Sequence, residues 1–153
     1  MKNQNFFGNF FIIIIFFLIG FFLISQPSKN LVPGNIKQVK IAGQSIEVEL
    51  ALTDIARMEG LSGRNELGNN AGMLFVFDKP GKYFFWMKDM NFPIDIIWLG
   101  EDQNVIYIKK DAQPENFLET YGPEENAKYV LEVVSGFSDR NNLKMGDTIE
   151  FEY

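Results

Sequence analysis

From residue 36 to residue 153 the chain is a succession of short β-branched, aromatic and aliphatic runs, each broken within a few positions by glycine, proline, asparagine or aspartate. Runs of that length are too short to carry the apolar stripe of a surface helix and have strand composition, so this part is confined to a mainly β fold. Alternation predicts strands over residues 36–42, 45–52, 73–77, 83–88, 94–99, 105–109, 129–134 and 148–153. Gly43-Gln44 joins the first two as a hairpin. Thr53-Asp54 caps one or two helical turns over residues 55–59 that Gly60 ends. Residues 100–104 and 144–147 read as turns, and residues 111–125, polar and with two prolines, as the one long loop.

Ahead of this domain lies an apolar segment, residues 6–24, in which Asn9 is the only strongly polar member. As a helix it spans roughly 28 Å, close to the hydrocarbon core of a bilayer. Its end offers Leu23-Ile24-Ser25, bulky where a signal peptidase wants a small residue, which favours an uncleaved anchor over a signal peptide. The expected organisation is an N-terminal membrane anchor over residues 1–25, a linker over 26–35 and a β-rich soluble domain over 36–153. A short head retained inside a single-pass anchor would leave the domain outside the cytoplasm.

Composition removes whole classes of chemistry. The chain has no histidine and no cysteine. It therefore lacks imidazole acid–base catalysis, Ser-His-Asp and Cys-His machinery, thiolate or imidazole metal sites and disulfides. No metal or cofactor is expected. The formal net charge is −6, and because all 20 acidic residues lie beyond Gln26 while Lys2 lies before it, the soluble part is one unit more acidic still. A surface of that sign repels phosphate backbones, so no nucleic-acid partner is expected.

The segments Glu59-Gly60-Leu61-Ser62, Gly72-Met73-Leu74-Phe75-Val76-Phe77, Phe85-Trp86-Met87-Lys88-Asp89-Met90, Pro93-Ile94-Asp95-Ile96-Ile97, Tyr129-Val130-Leu131-Glu132-Val133 and Lys144-Met145-Gly146-Asp147 occur in that order. In order and spacing the chain resembles the domain-of-unknown-function 192 family of small prokaryotic proteins, often membrane-anchored or exported. The resemblance covers residues 36–153. It implies a single compact β-sandwich or jelly-roll-like domain with one or two short helices, and no established reaction. Ser62 stands where that family usually has methionine, and Asp89 where asparagine is common, which adds an acid to the Trp-Met-Lys block.

The candidate site lies where charges interrupt apolar runs, because a charge that cannot reach water needs a partner or a purpose. Lys88, Asp89 and Asp95 interrupt the most aromatic stretch of the domain. Alternation sets Trp86 and Lys88 on one face and predicts that Lys88 meets Asp95 across neighbouring strands, either as a structural ion pair or as the polar rim of an aromatic pocket. Glu132 is either a solvent-facing residue of an alternating strand or an inward carboxylate paired with Lys88, Arg57 or Arg64. The ligand-binding set is Met73, Phe75, Trp86, Met87, Lys88, Asp89, Asp95 and Glu132, and it carries no catalytic assignment. The function this supports is a ligand-binding or protein-interaction module whose partner is a small molecule, a polysaccharide or a protein. The alternative is a carboxylate-based hydrolase of cell-envelope polysaccharide using Asp89, Asp95 or Glu119.

Overall fold

The computed structural model describes residues 33–153. The anchor expected over residues 6–24, and the linker up to residue 32, lie outside the described residues. Among those described, no helix is long and apolar enough to cross a membrane.

After a 3-10 turn at Pro33–Asn35 the strands are β1 (Gln38–Ile41), β2 (Gln44–Ala51), β3 (Ala71–Gly81), β4 (Ile94–Leu99), β5 (Val105–Ala112), β6 (Ala127–Val134) and β7 (Glu150–Glu152). Two short helices, α1 (Asp54–Glu59) and α2 (Phe137–Arg140), complete the fold. Mainly β is therefore correct, and β4 coincides with the expected strand. The β1–β2 loop is the two residues Ala42 and Gly43, both with positive φ (49° and 75°), the turn whose twist matches paired strands. Thr53 caps α1, accepting from the Ala56 amide at 3.2 Å, and Gly60 ends it at φ 54°.

Two expectations are corrected. Residues 83–88 are not a strand: only Phe85 bridges, to Tyr121. Nor are there two stacked sheets, since all seven strands form one sheet in the order β5-β4-β6-β3-β2-β1-β7. Val39 and Ile41 of β1 share a buried cluster with Ile97 and Leu99 of β4, although three strands lie between. In a flat sheet those strands would be about 19 Å apart, so the sheet curls on itself. Its edges meet at one end, where the Val105 amide donates to Asp147 at 2.8 Å and the Ile149 amide to Gln103 at 3.0 Å. Alternation reports which residues are inward but not which sheet faces them, and one rolled sheet satisfies the same pattern as two stacked ones.

Curling gives the sheet an inner and an outer core. Leu74, Val76, Ile97, Leu131 and Val133 point inward. Met73, Phe75, Ile96, Trp98 and Val130 point outward, under Leu61, Met87 and Tyr121 from the connections. Every residue of β4 is buried for that reason. Gly72 permits the close approach of β3: a Cβ there would sit 2.8 Å from the Glu132 carbonyl oxygen and 3.2 Å from Ile46 Cγ2. The β2–β3 pairing is parallel, so the chain must cross over between them, and α1 with the following turn makes that crossover on the outer face.

Candidate functional site

Glu132 follows from the register. In β6 the even positions Val130 and Glu132 face outward, and Glu132 lies between Met73 of β3 and Ile96 of β4. Its side chain is thereby set among apolar neighbours, with the residue only 5% exposed. Its Oε2 has no hydrogen-bond partner among the described residues. Burial pushes the carboxyl up to about 8, opposed only in part by the nearby charge of Arg64. At neutral pH Glu132 is thus mostly a neutral acid.

Above it opens a cleft of about 360 Å³, walled by α1 and Gly60-Leu61-Ser62 on one side and by residues of the 82–90 connection on the other, with Phe75, Phe77 and Glu132 from the sheet. The walls are fixed in place. Arg57 donates to the carbonyls of Leu52 (2.7 Å) and Val76 (2.8 Å) and pairs with Asp54, which fastens α1 to β3. Tyr83 stacks on Phe77 with ring centroids 3.4 Å apart, and Phe85 meets Phe75 edge-on at 4.8 Å. The Trp98 indole donates to the Tyr83 carbonyl at 2.8 Å, and Phe85 and Tyr121 exchange backbone bonds of 2.8 Å. Ser62 donates to the Lys88 carbonyl at 3.0 Å, joining the two walls.

Of the expected site residues, Phe75, Trp86 and Glu132 meet in this cleft, with Met73 buried beside Glu132. The others do not converge there. Met87, not Trp86, is the inward residue of its segment: Met87 is fully buried and Trp86 is 50% exposed. Lys88 is exposed, its ammonium 5.8 Å from the Trp86 ring centroid. Lys88 and Asp89 line instead a second hollow of about 670 Å³, which shares Trp86 with the first and is bounded by Pro114, Phe117 and Leu118.

Asp95 is the clearest correction. It does not meet Lys88. It points to the inner side of the sheet, 0% exposed, and accepts backbone N–H groups from Asp111 (2.9 Å), Gly136 (3.2 Å) and Ser138 (2.8 Å). It thereby ties the end of β5 to the start of α2. The Lys88–Asp95 expectation assumed that residues 83–88 form a strand beside β4, and they form a connection. Of the alternatives for Glu132, it is buried rather than solvent-facing, on the outer side of the sheet and without an ion pair: Arg57 is engaged as above, Lys88 lies elsewhere, and Arg64 holds Glu49 in a two-pronged pair at 2.5 and 2.8 Å. Arg64 in turn holds the Glu49 carboxyl below its ordinary range.

Sequence reasoning named Met58 as a possible cleft residue and Arg57 as a possible partner of Glu132, but missed Asp54, Glu59, Lys82 and Tyr83. The helix signal at Thr53-Asp54 was the available hint, since a parallel crossover must lie on one face of the sheet. Among the described residues no group of three or more acidic side chains is placed to hold a metal ion.

This combination of a rolled β-sheet and a cleft over the β6 carboxyl accompanies a family match. The chain belongs to the DUF192 family, described as an uncharacterised ACR, whose model matches residues 37–151. It is similar to a UPF0127 protein of Thermococcus sibiricus, 31% identical over 112 residues, which span 69% of this chain and 66% of that protein. It is also similar to the crystal structure of a protein of unknown function from Novosphingobium aromaticivorans, with 33% identity and a TM-score of 0.70 over 75% of this chain and 84% of the other. A Sinorhizobium meliloti structure, described provisionally as a transcription regulator, is 28% identical with a TM-score of 0.69 over 74% of this chain and 90% of that one.

Proposed function

We propose that this chain is a ligand-binding domain, tethered to the membrane through residues 6–24, displayed outside the cytoplasm and using the cleft over Glu132 as its site. The observation that carries the reading is an unpartnered, buried carboxyl at the base of an aromatic cleft. A fold gains no stability from such a group, because apolar side chains of the same shape would serve better. A cleft of this size and lining, with one polar group at its base, fits the general form of a small-molecule site. The hydrolase reading needs two carboxyl groups roughly 5 to 9.5 Å apart across an open cleft, and Asp95, sealed against three amides, is not free to serve as one of them.

Met58 and Trp86 are exposed on opposite walls, so truncating either should change stability by only about 0.5 kcal/mol. A fragment library titrated into the protein should shift NMR resonances of residues 58–62 and 83–86, and Trp86→Ala should weaken those hits by roughly tenfold or more. Hits that all map elsewhere contradict the site. The tether has its own test, because the chain has no native cysteine. Glu101→Cys, in the exposed β4–β5 turn, should react in intact cells with a membrane-impermeant maleimide, and labelling only after lysis contradicts display outside.

A further inference from the structure

The charges around the cleft are unevenly committed. Of its cations, Arg57 is consumed by two carbonyls and Asp54, and Lys82 pairs with Glu124 at 2.8 Å. Arg64, close enough to be felt by Glu132, is held by Glu49. Among the described residues the two ionisable groups of the cleft without a partner of opposite charge are both acids, Glu59 at the end of α1 and Glu132 at the base. Six rings, Phe75, Phe77, Tyr83, Phe84, Phe85 and Trp86, make up much of the remaining lining, beside Met58, Leu61, Ser62 and Met90. Aromatic faces attract a cation, Trp most strongly, and a site that excludes water strengthens both that attraction and the pairing with a carboxylate.

We infer that the ligand is an organic cation, an ammonium head seated against Glu132 with its apolar body between the aromatic walls. The inference rests on the cleft being the binding site and specifies the chemistry taken there. The acidic surface of the domain agrees with it, since a net negative field concentrates cations at the mouth. Binding exchanges one proton for one cation: the neutral Glu132 acid loses its proton to solvent and the carboxylate pairs with the ammonium. The groups that face this exchange are Asp54, Arg57 and Glu59 of α1, Arg64 beyond it, and Lys82 and Tyr83 of the opposite wall, while β3 and β4 present only apolar side chains, Met73, Phe75 and Phe77 from the one and Ile96 from the other.

The test is calorimetry and NMR on residues 1–153 in a nonionic detergent, with phenethylammonium, the neutral 2-phenylethanol and the anion 3-phenylpropionate. Phenethylammonium should bind at the cleft at least tenfold more tightly than the other two and release close to one proton at about pH 7, read from two buffers of different ionisation heat. Its affinity should rise roughly tenfold or more from about pH 6 to about pH 8.5. Glu132→Gln should abolish the proton release and lose at least tenfold in affinity. An N-acetyl-lysine amide probe separates the two sources of an ammonium: tighter binding than n-pentylammonium assigns a peptide-borne lysine, weaker binding a free amine. Equal or tighter cleft binding of the alcohol or the anion, or cation binding that Glu132→Gln leaves intact, overturns the cation inference while keeping the cleft as a site. No perturbation of the cleft by any of these probes or by the fragment library overturns both.

Discussion

Raising the pH from about 5 to about 9 should destabilise the wild-type domain by a few kcal/mol more than its Glu132→Gln variant. The cause is the burial of Glu132, whose carboxyl stands at about 8 in the fold against an ordinary value near 4.5. Between those values the native state holds a proton that the unfolded chain has released. Increasing pH therefore favours unfolding: the loss begins above about pH 4.5 and is complete once pH passes about 8. A shift of this size corresponds to on the order of 3 to 5 kcal/mol. Glutamine keeps the neutral, isosteric form, so Glu132→Gln should match the wild type near pH 5 and exceed it near pH 9. Urea unfolding at the two pH values measures the difference between the proteins and cancels contributions common to both. Parallel pH profiles for wild type and variant would mean that Glu132 reaches solvent or a partner.

Asp95→Ala should cost about 3 to 5 kcal/mol, a large share of what a domain of this size possesses. Three N–H groups would lose their acceptor at once, and all three belong to the junction of β5, the turn after β6 and α2. Asp95→Asn should fall between: its oxygen can keep the Asp111 and Gly136 bonds, while its amide would face the Ser138 N–H, for a loss of about 1 to 3 kcal/mol. Lys88→Met, at an exposed position, should move stability by no more than about 0.5 kcal/mol. The contrast is informative because an Asp95–Lys88 ion pair would make the two losses similar. Equal losses in urea unfolding would restore the pairing that the structure replaces with backbone amides.

These two acids also show how far the sequence could be read. Each stands out as a charge in an apolar run, and each is buried, so the principle that located them was sound. Their partners were not legible. Asp95 is bound by amides from residues 111, 136 and 138, brought to it by loop closure that no local pattern encodes. The orientation of Trp86, Met87 and Lys88 came out inverted because strand alternation was applied to a stretch that pairs only at Phe85. Where local rules govern, the reading succeeded: the β1–β2 hairpin, though its turn is Ala42-Gly43, one residue before the expected Gly43-Gln44, the Thr53 cap, the Gly60 stop and the full span of β4. Fold closure was beyond it, since the strand order that puts β1 near β4 depends on long-range pairing, and alternation is the same for a rolled sheet and a stacked pair.

Glu132 was left between solvent and interior because both faces of β6 are apolar here. An outward residue of an ordinary antiparallel sheet meets water. In this fold the α1 crossover and the 82–90 connection roof the outer face, and what strand alternation marks as a surface carboxyl becomes the base of a cleft.

The most direct test of this account is the carboxyl carbon of Glu132, followed by NMR through a pH titration of the isotopically labelled protein. A midpoint near 8 that falls toward the ordinary carboxylate range when phenethylammonium saturates the cleft is the expected result. A midpoint near 4.5 in the free protein, or one that saturating amine leaves unmoved, would contradict it.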